Sequence, residues 1–134
     1  MRYTFKPRHN THDNDCWCDA IALLTNQDYD VVYKLFKPFI NDDGTLNTLF
    51  TKGYLSKLDY CLYEISGTLY EWIQIVNNKN GVIFELENDN GGHTIYVKDN
   101  VIYDNIKKVA TMQYFTDHNI TGIWLKIDDE FKKL

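Results

Sequence analysis

The chain has 134 residues, 44% of them hydrophobic and 25% charged, with 19 acidic against 14 basic side chains and a net charge of −5. That is the size and composition of one domain spanning 1–134, and no apolar run is long enough to cross a membrane as a helix. The acidic balance, with no basic block, argues against a surface that tracks phosphates, so nucleic acid is not an expected partner.

The opening residues, Met1-Arg2-Tyr3-Thr4-Phe5-Lys6, lack the apolar core of a signal peptide, and cysteines at 16, 18 and 61 are an odd set for a disulfide framework. Both features predict a reducing, cytoplasmic setting. Alternation over Arg2 to Lys6 predicts an edge strand, and the polar stretch from Pro7 to Asp15 a loop.

The first helix is predicted to start near Cys16, because Ala20, Ile21 and Leu24 fall three, four and seven residues after Trp17. A thiol at its first turn is chemically placed, since the helix N-terminus stabilises a thiolate. Thr25-Asn26-Gln27 ends the helix, and Asp28 is an N-cap for a second one in which Val32, Leu35 and Phe36 share a face with Tyr29 up to Pro38. A short third helix carries Leu46, Leu49 and Phe50, with Gly53 in the position of a left-handed cap.

Cys61 to Ile65 reads as a strand, and Thr68-Leu69-Tyr70-Glu71 as a capping box opening a helix over Leu69 to Asn77. From Gly81 the period changes to that of strands: Val82–Glu87, His93–Lys98, Val101–Asp104 and Gly122–Ile127. Asn105 to Asn119 carries no clear pattern.

Asp99-Asn100 between two strand patterns predicts a two-residue type I′ hairpin. The register then sets Lys98 against Val101, Val97 against Ile102, Tyr96 against Tyr103 and Ile95 against Asp104. His93 shares a sheet face with Ile95, Val97, Ile102 and Asp104, so Asp104 is its diagonal neighbour, and Asn105 turns the other way.

These residues resemble the papain-like cysteine peptidases, most closely their small bacterial and phage-type members, including relatives of bacteriocin-processing peptidases. The resemblance rests on Asn14-Asp15-Cys16 running into Ala20-Ile21-Ala22-Leu23-Leu24-Thr25, then Asp28-Tyr29-Asp30-Val31-Val32-Tyr33, and later Gly92-His93 and Tyr103-Asp104. It covers roughly residues 10 to 105 and implies an α+β papain-like fold, with N-terminal helices packed on a C-terminal antiparallel sheet.

The same resemblance implies a hydrolase that cleaves a peptide or isopeptide bond through an acyl-enzyme, acting on a protein or peptide substrate without cofactor or metal. Cys16 would be the nucleophile, His93 the base and then acid, and Asp104 the group that fixes the ring. The family's oxyanion side chain is a Gln about six residues before the cysteine; Asn10 stands there, and Asn14 lies closer to Cys16.

Three alternatives stay open. Cys18 is a rival nucleophile, although on a helix it and Cys16 point about 200° apart. His9, His12, Cys16 and Cys18 are zinc-ligand types, but with a spacing tighter than structural zinc sites use. A papain-fold binding protein without activity, such as a phage or mobile-element factor that captures a host protein, would carry the same framework.

Overall fold

A computed structural model of the chain describes residues 4–6, 16–42, 46–88, 91–104, 115–116 and 118–126. Among them the elements run β1 (Thr4–Lys6), α1 (Cys16–Thr25), α2 (Tyr29–Phe36), α3 (Thr48–Lys57), β2 (Tyr60–Glu64), α4 (Leu69–Ile75), β3 (Val82–Asn88), β4 (Gly91–Lys98), β5 (Val101–Tyr103) and β6 (Asn119–Lys126). One sheet holds all six strands in the order β1-β5-β4-β3-β6-β2. Strands β2 to β6 pair antiparallel, and β1 adds in parallel on the outer edge of β5.

The class is α+β, but the sheet is not drawn from the second half alone. β1 and β2 come from the helical half, and β2 closes the far edge against β6. Helices cover both faces of the sheet. Val82, Phe84, Leu86, Ile95, Val97 and Ile102 pack with Leu69, Ile73 and Val76 of α4. Ile83, Tyr96 and Trp124 pack on the opposite face with Trp17, Ala20, Ile21 and Leu24 of α1, Val32 and Phe36 of α2 and Leu55 of α3. Period-2 alternation therefore sends apolar side chains into two separate cores.

Local signals explain most boundaries. In α4 the Thr68 hydroxyl accepts from the Glu71 N–H at 3.2 Å, and the Glu71 carboxylate accepts from the Thr68 N–H at 3.0 Å, the reciprocal pairing of a capping box. The helix ends at Ile75, two residues before the position read from sequence. α2 stops where a 3₁₀ turn, Lys37–Phe39, takes in Pro38. Leu35 is 40% exposed, so the buried stripe of α2 is Val32 and Phe36 without it.

α3 departs most from its sequence pattern. It runs to Lys57, so Gly53 lies inside it and caps nothing; Asp59, with φ of 67°, takes the left-handed turn after it. Its N-terminus is capped by Asn47, whose side chain accepts from the Phe50 N–H at 2.9 Å. Leu49 points outward at 82% exposure.

In β6 the pairing with β3 shifts between Glu85↔Gly122 and Leu86↔Ile120, leaving Thr121 as an extra residue. This bulge lets Ile120 and Ile123, three apart, enter the same core, and it hides the first three residues of β6 from a strict alternation reading.

Candidate functional site

The β4–β5 hairpin turns at Asp99-Asn100, both with positive φ (49° and 64°), as a type I′ turn requires. Its register is Lys98↔Val101, Val97↔Ile102 and Tyr96↔Tyr103, as the turn chemistry predicts. Asn78 clamps the turn from outside: its backbone carbonyl accepts from the Asp99 N–H and its side-chain oxygen from the Asn100 N–H, each at 2.8 Å.

That register brings His93 and Asp104 together. Nε2 of His93 lies 2.8 Å from Oδ1 of Asp104, and the side chains are only 10% and 1% exposed. With Asp104 ionised, its oxygen can only accept, so Nε2 carries the hydrogen, and in the neutral ring Nδ1 is the unprotonated nitrogen. A base oriented in this way is what a thiol hydrolase requires. Asn105 lies outside the described residues.

Cys16 is the first residue of α1. Tyr60 donates its hydroxyl to the Leu24 carbonyl at 3.2 Å, tying the C-terminal end of α1 to the edge where Tyr60 pairs with Lys126. The sheet registers make this the end where β4 finishes at Lys98. α1 packs against β4, the strand that carries His93, and Cys16 lies at the end of α1 opposite to the Leu24–Tyr60 attachment. The faces differ, however. His93 alternates with Ile95 and Val97 on the α4 side, whereas α1 covers the Tyr96 side. The structure therefore joins His93 to Asp104 and packs α1, which begins with Cys16, over the reverse face of the strand that carries His93.

Asn10 and Asn14 lie outside the described residues, as do His9 and His12. Cys18 is fully buried and donates its thiol to the Tyr29 carbonyl at 3.6 Å, so it serves the α1–α2 contact. Cys61 is exposed on β2. Among the described residues no three His, Cys, Asp or Glu side chains gather as a metal site, and no helix is long and apolar enough to cross a membrane.

One charged group escaped the sequence reading. Glu85 on β3 pairs directly with Thr94 on β4, and its carboxylate accepts from the Thr94 hydroxyl at 2.9 Å and from the Trp124 indole at 3.3 Å. Burial pushes its pKa above 4.5, while the two hydrogen bonds and the charge of His93 pull it back. In a strand of alternating residues it looks like a solvent-facing position, and only the cross-strand register reveals Thr94 and Trp124 beside it.

Comparison with protein-family models, with curated proteins and with solved structures finds no match to this chain.

Proposed function

We propose that this chain is a papain-like thiol hydrolase that cleaves a peptide or isopeptide bond, with Cys16 as nucleophile, His93 as base and acid, and Asp104 as the residue that orients the ring. The observation that carries this reading is the buried His93–Asp104 contact at 2.8 Å, made from the strand against which the Cys16 helix packs. Nδ1 of His93 takes the thiol proton, and the thiolate attacks the carbonyl carbon of the substrate. The imidazolium then gives that proton to the leaving amine, and an acyl-enzyme remains. A water that loses a proton to His93 attacks the thioester, releases the acid and restores the thiol. The Cys16 backbone N–H, with the amide of Asn10 or Asn14, supplies donors for the oxyanion.

The thiol must meet Nδ1 around the start of β4, where Gly91 and Gly92 carry no side chain to obstruct it. The attachment of α1 and His93 to opposite faces favours a second reading: a papain-fold protein that binds a partner, in the manner of a phage or mobile-element factor, without chemistry. Incubation with a peptide library separates the two. Cleavage by the wild type that disappears in both Cys16→Ala and His93→Ala supports the hydrolase. Cleavage that survives in Cys16→Ala, or no cleavage at all, overturns it.

A further inference from the structure

Glu85 lies one residue from His93's cross-strand partner: β3 sets Glu85 against Thr94 and Leu86 against His93. The carboxylate therefore stands on the reverse face of the sheet from the ring, one residue along. The two oxygens each receive a side-chain donor, Oε2 from Thr94 and Oε1 from Trp124. The indole can only donate, so Oε1 of Glu85 is an acceptor.

Space for it is shaped by the bulge in β6. Gly122 is the β6 partner of Glu85, and a Cβ there would meet Leu62 at 2.9 Å and the Glu85 side chain at 3.6 Å. The Thr121 hydroxyl also donates to the Glu85 carbonyl at 3.4 Å. A bulge, a glycine and two aimed donors thus converge on one carboxylate.

We propose that Glu85 is a positioning residue for the His93–Asp104 pair: a second carboxylate that fixes the start of β4 through Thr94 and opposes the protonated ring with negative charge. His93 then stands between two acids, Asp104 bonded to the ring and Glu85 acting through the sheet. Among the described residues, Glu64 stands in the same cross-strand row on β2, with Lys52 of α3 at 3.9 Å from it, and Asp19 is buried on α1, the helix that packs over this face. Both acids add negative charge.

The catalytic meaning of this assignment rests on the thiol-hydrolase reading, so its test uses a signal that needs no substrate. The His93 ring is titrated by NMR in the wild type, Glu85→Gln and Thr94→Val. Loss of the nearby charge lowers the His93 midpoint in Glu85→Gln by about 0.5 pH unit or more. Thr94→Val strips one donor from the carboxylate, favours its protonated form and moves the midpoint the same way, so it serves if Glu85→Gln fails to fold. An unchanged His93 midpoint in a folded Glu85→Gln, or in Thr94→Val when that is the folded variant, overturns the proposal. The pH profile of Cys16 alkylation is recorded on the same wild-type sample. If that profile is ordinary while the His93 midpoint still falls in Glu85→Gln, the hydrolase reading fails and the assignment of Glu85 stands.

Discussion

Asn78 holds Asn100 at the tip of the β4–β5 hairpin, accepting its N–H at 2.8 Å and donating its side-chain amide to the Asn100 side chain at 3.2 Å. Asn78 is 3% exposed and sits just before β3, 22 residues from its partner. The contact secures a turn with two consecutive positive φ angles, on which the pairing of His93 with Asp104 depends.

Asn78→Ala leaves the Asn100 N–H without this acceptor and removes a buried polar contact. The expected cost is about 1–3 kcal/mol, read as a lower midpoint in chemical denaturation. A variant as stable as the wild type would show that the turn needs no clamp.

At Gly81 the backbone has φ of +95°, and a Cβ there would stand 2.3 Å from the Tyr96 hydroxyl. Burial, followed by the neighbouring Tyr60 and Tyr103, pushes the Tyr96 phenol up to about 12. Gly81→Ala combines a disfavoured φ with a collision against a buried ring and is expected to cost more than about 1 kcal/mol. The phenol should also become easier to ionise, visible as an earlier rise of tyrosinate absorbance with pH. An unchanged melt and titration would contradict both expectations.

Burial of Glu85 sets the sign expected for its effect on stability with pH. Its folded pKa lies above 4.5, chiefly through burial, so the folded state holds this proton more tightly than the unfolded chain does. The associated stability is full below the unfolded value and is lost as pH rises through the folded one. Relative to wild type, Glu85→Gln should therefore gain stability as pH rises from about 4.5. Melts across pH 4 to 8 check this, and a constant difference between the two proteins would contradict it.

Asp104→Asn keeps a side chain of the same size beside His93 but removes the acceptor-only carboxylate. The fold should persist while turnover falls, because the amide no longer stabilises the imidazolium. Nitrogen chemical shifts of His93 should show the Nε2–H tautomer in the wild type and a changed tautomer balance in the variant. If the tautomer balance is identical in both, Asp104 does not fix the ring.

The parts of this molecule that were legible in the sequence are those governed by neighbours along the chain. Thr68 and Glu71 cap α4 three residues apart, and Asp99-Asn100 fixes a register that carries as far as Tyr103, the residue before Asp104. Gly53 misled because a glycine within a helix looks the same in sequence as one at its end; here Asp59 provides the left-handed residue. The start of β6 was hidden by the bulge at Thr121, which breaks alternation where pattern reading depends on it.

The site was legible in part for the same reason. His93 and Asp104 meet through one tight turn, and a short-range rule suffices to pair them. Which face of the sheet α1 would cover is decided by long-range packing of Trp17, Ile21 and Leu24 against Ile83, Tyr96 and Trp124, and no local pattern specifies it. The role of Glu85 likewise depends on Thr94 and Trp124, nine and 39 residues away.

The most direct test of the account is the rate of iodoacetamide alkylation at each cysteine as a function of pH, mapped by peptide, in the wild type and in His93→Ala. Exposure alone would make Cys61 faster than Cys18, which is buried. The account predicts that Cys16 reacts fastest near neutral pH, with a midpoint below the ordinary thiol value of about 8.5, and that His93→Ala slows it roughly tenfold or more. A Cys16 that titrates near 8.5 and ignores the loss of His93 would contradict the account and leave the binding-protein reading in its place.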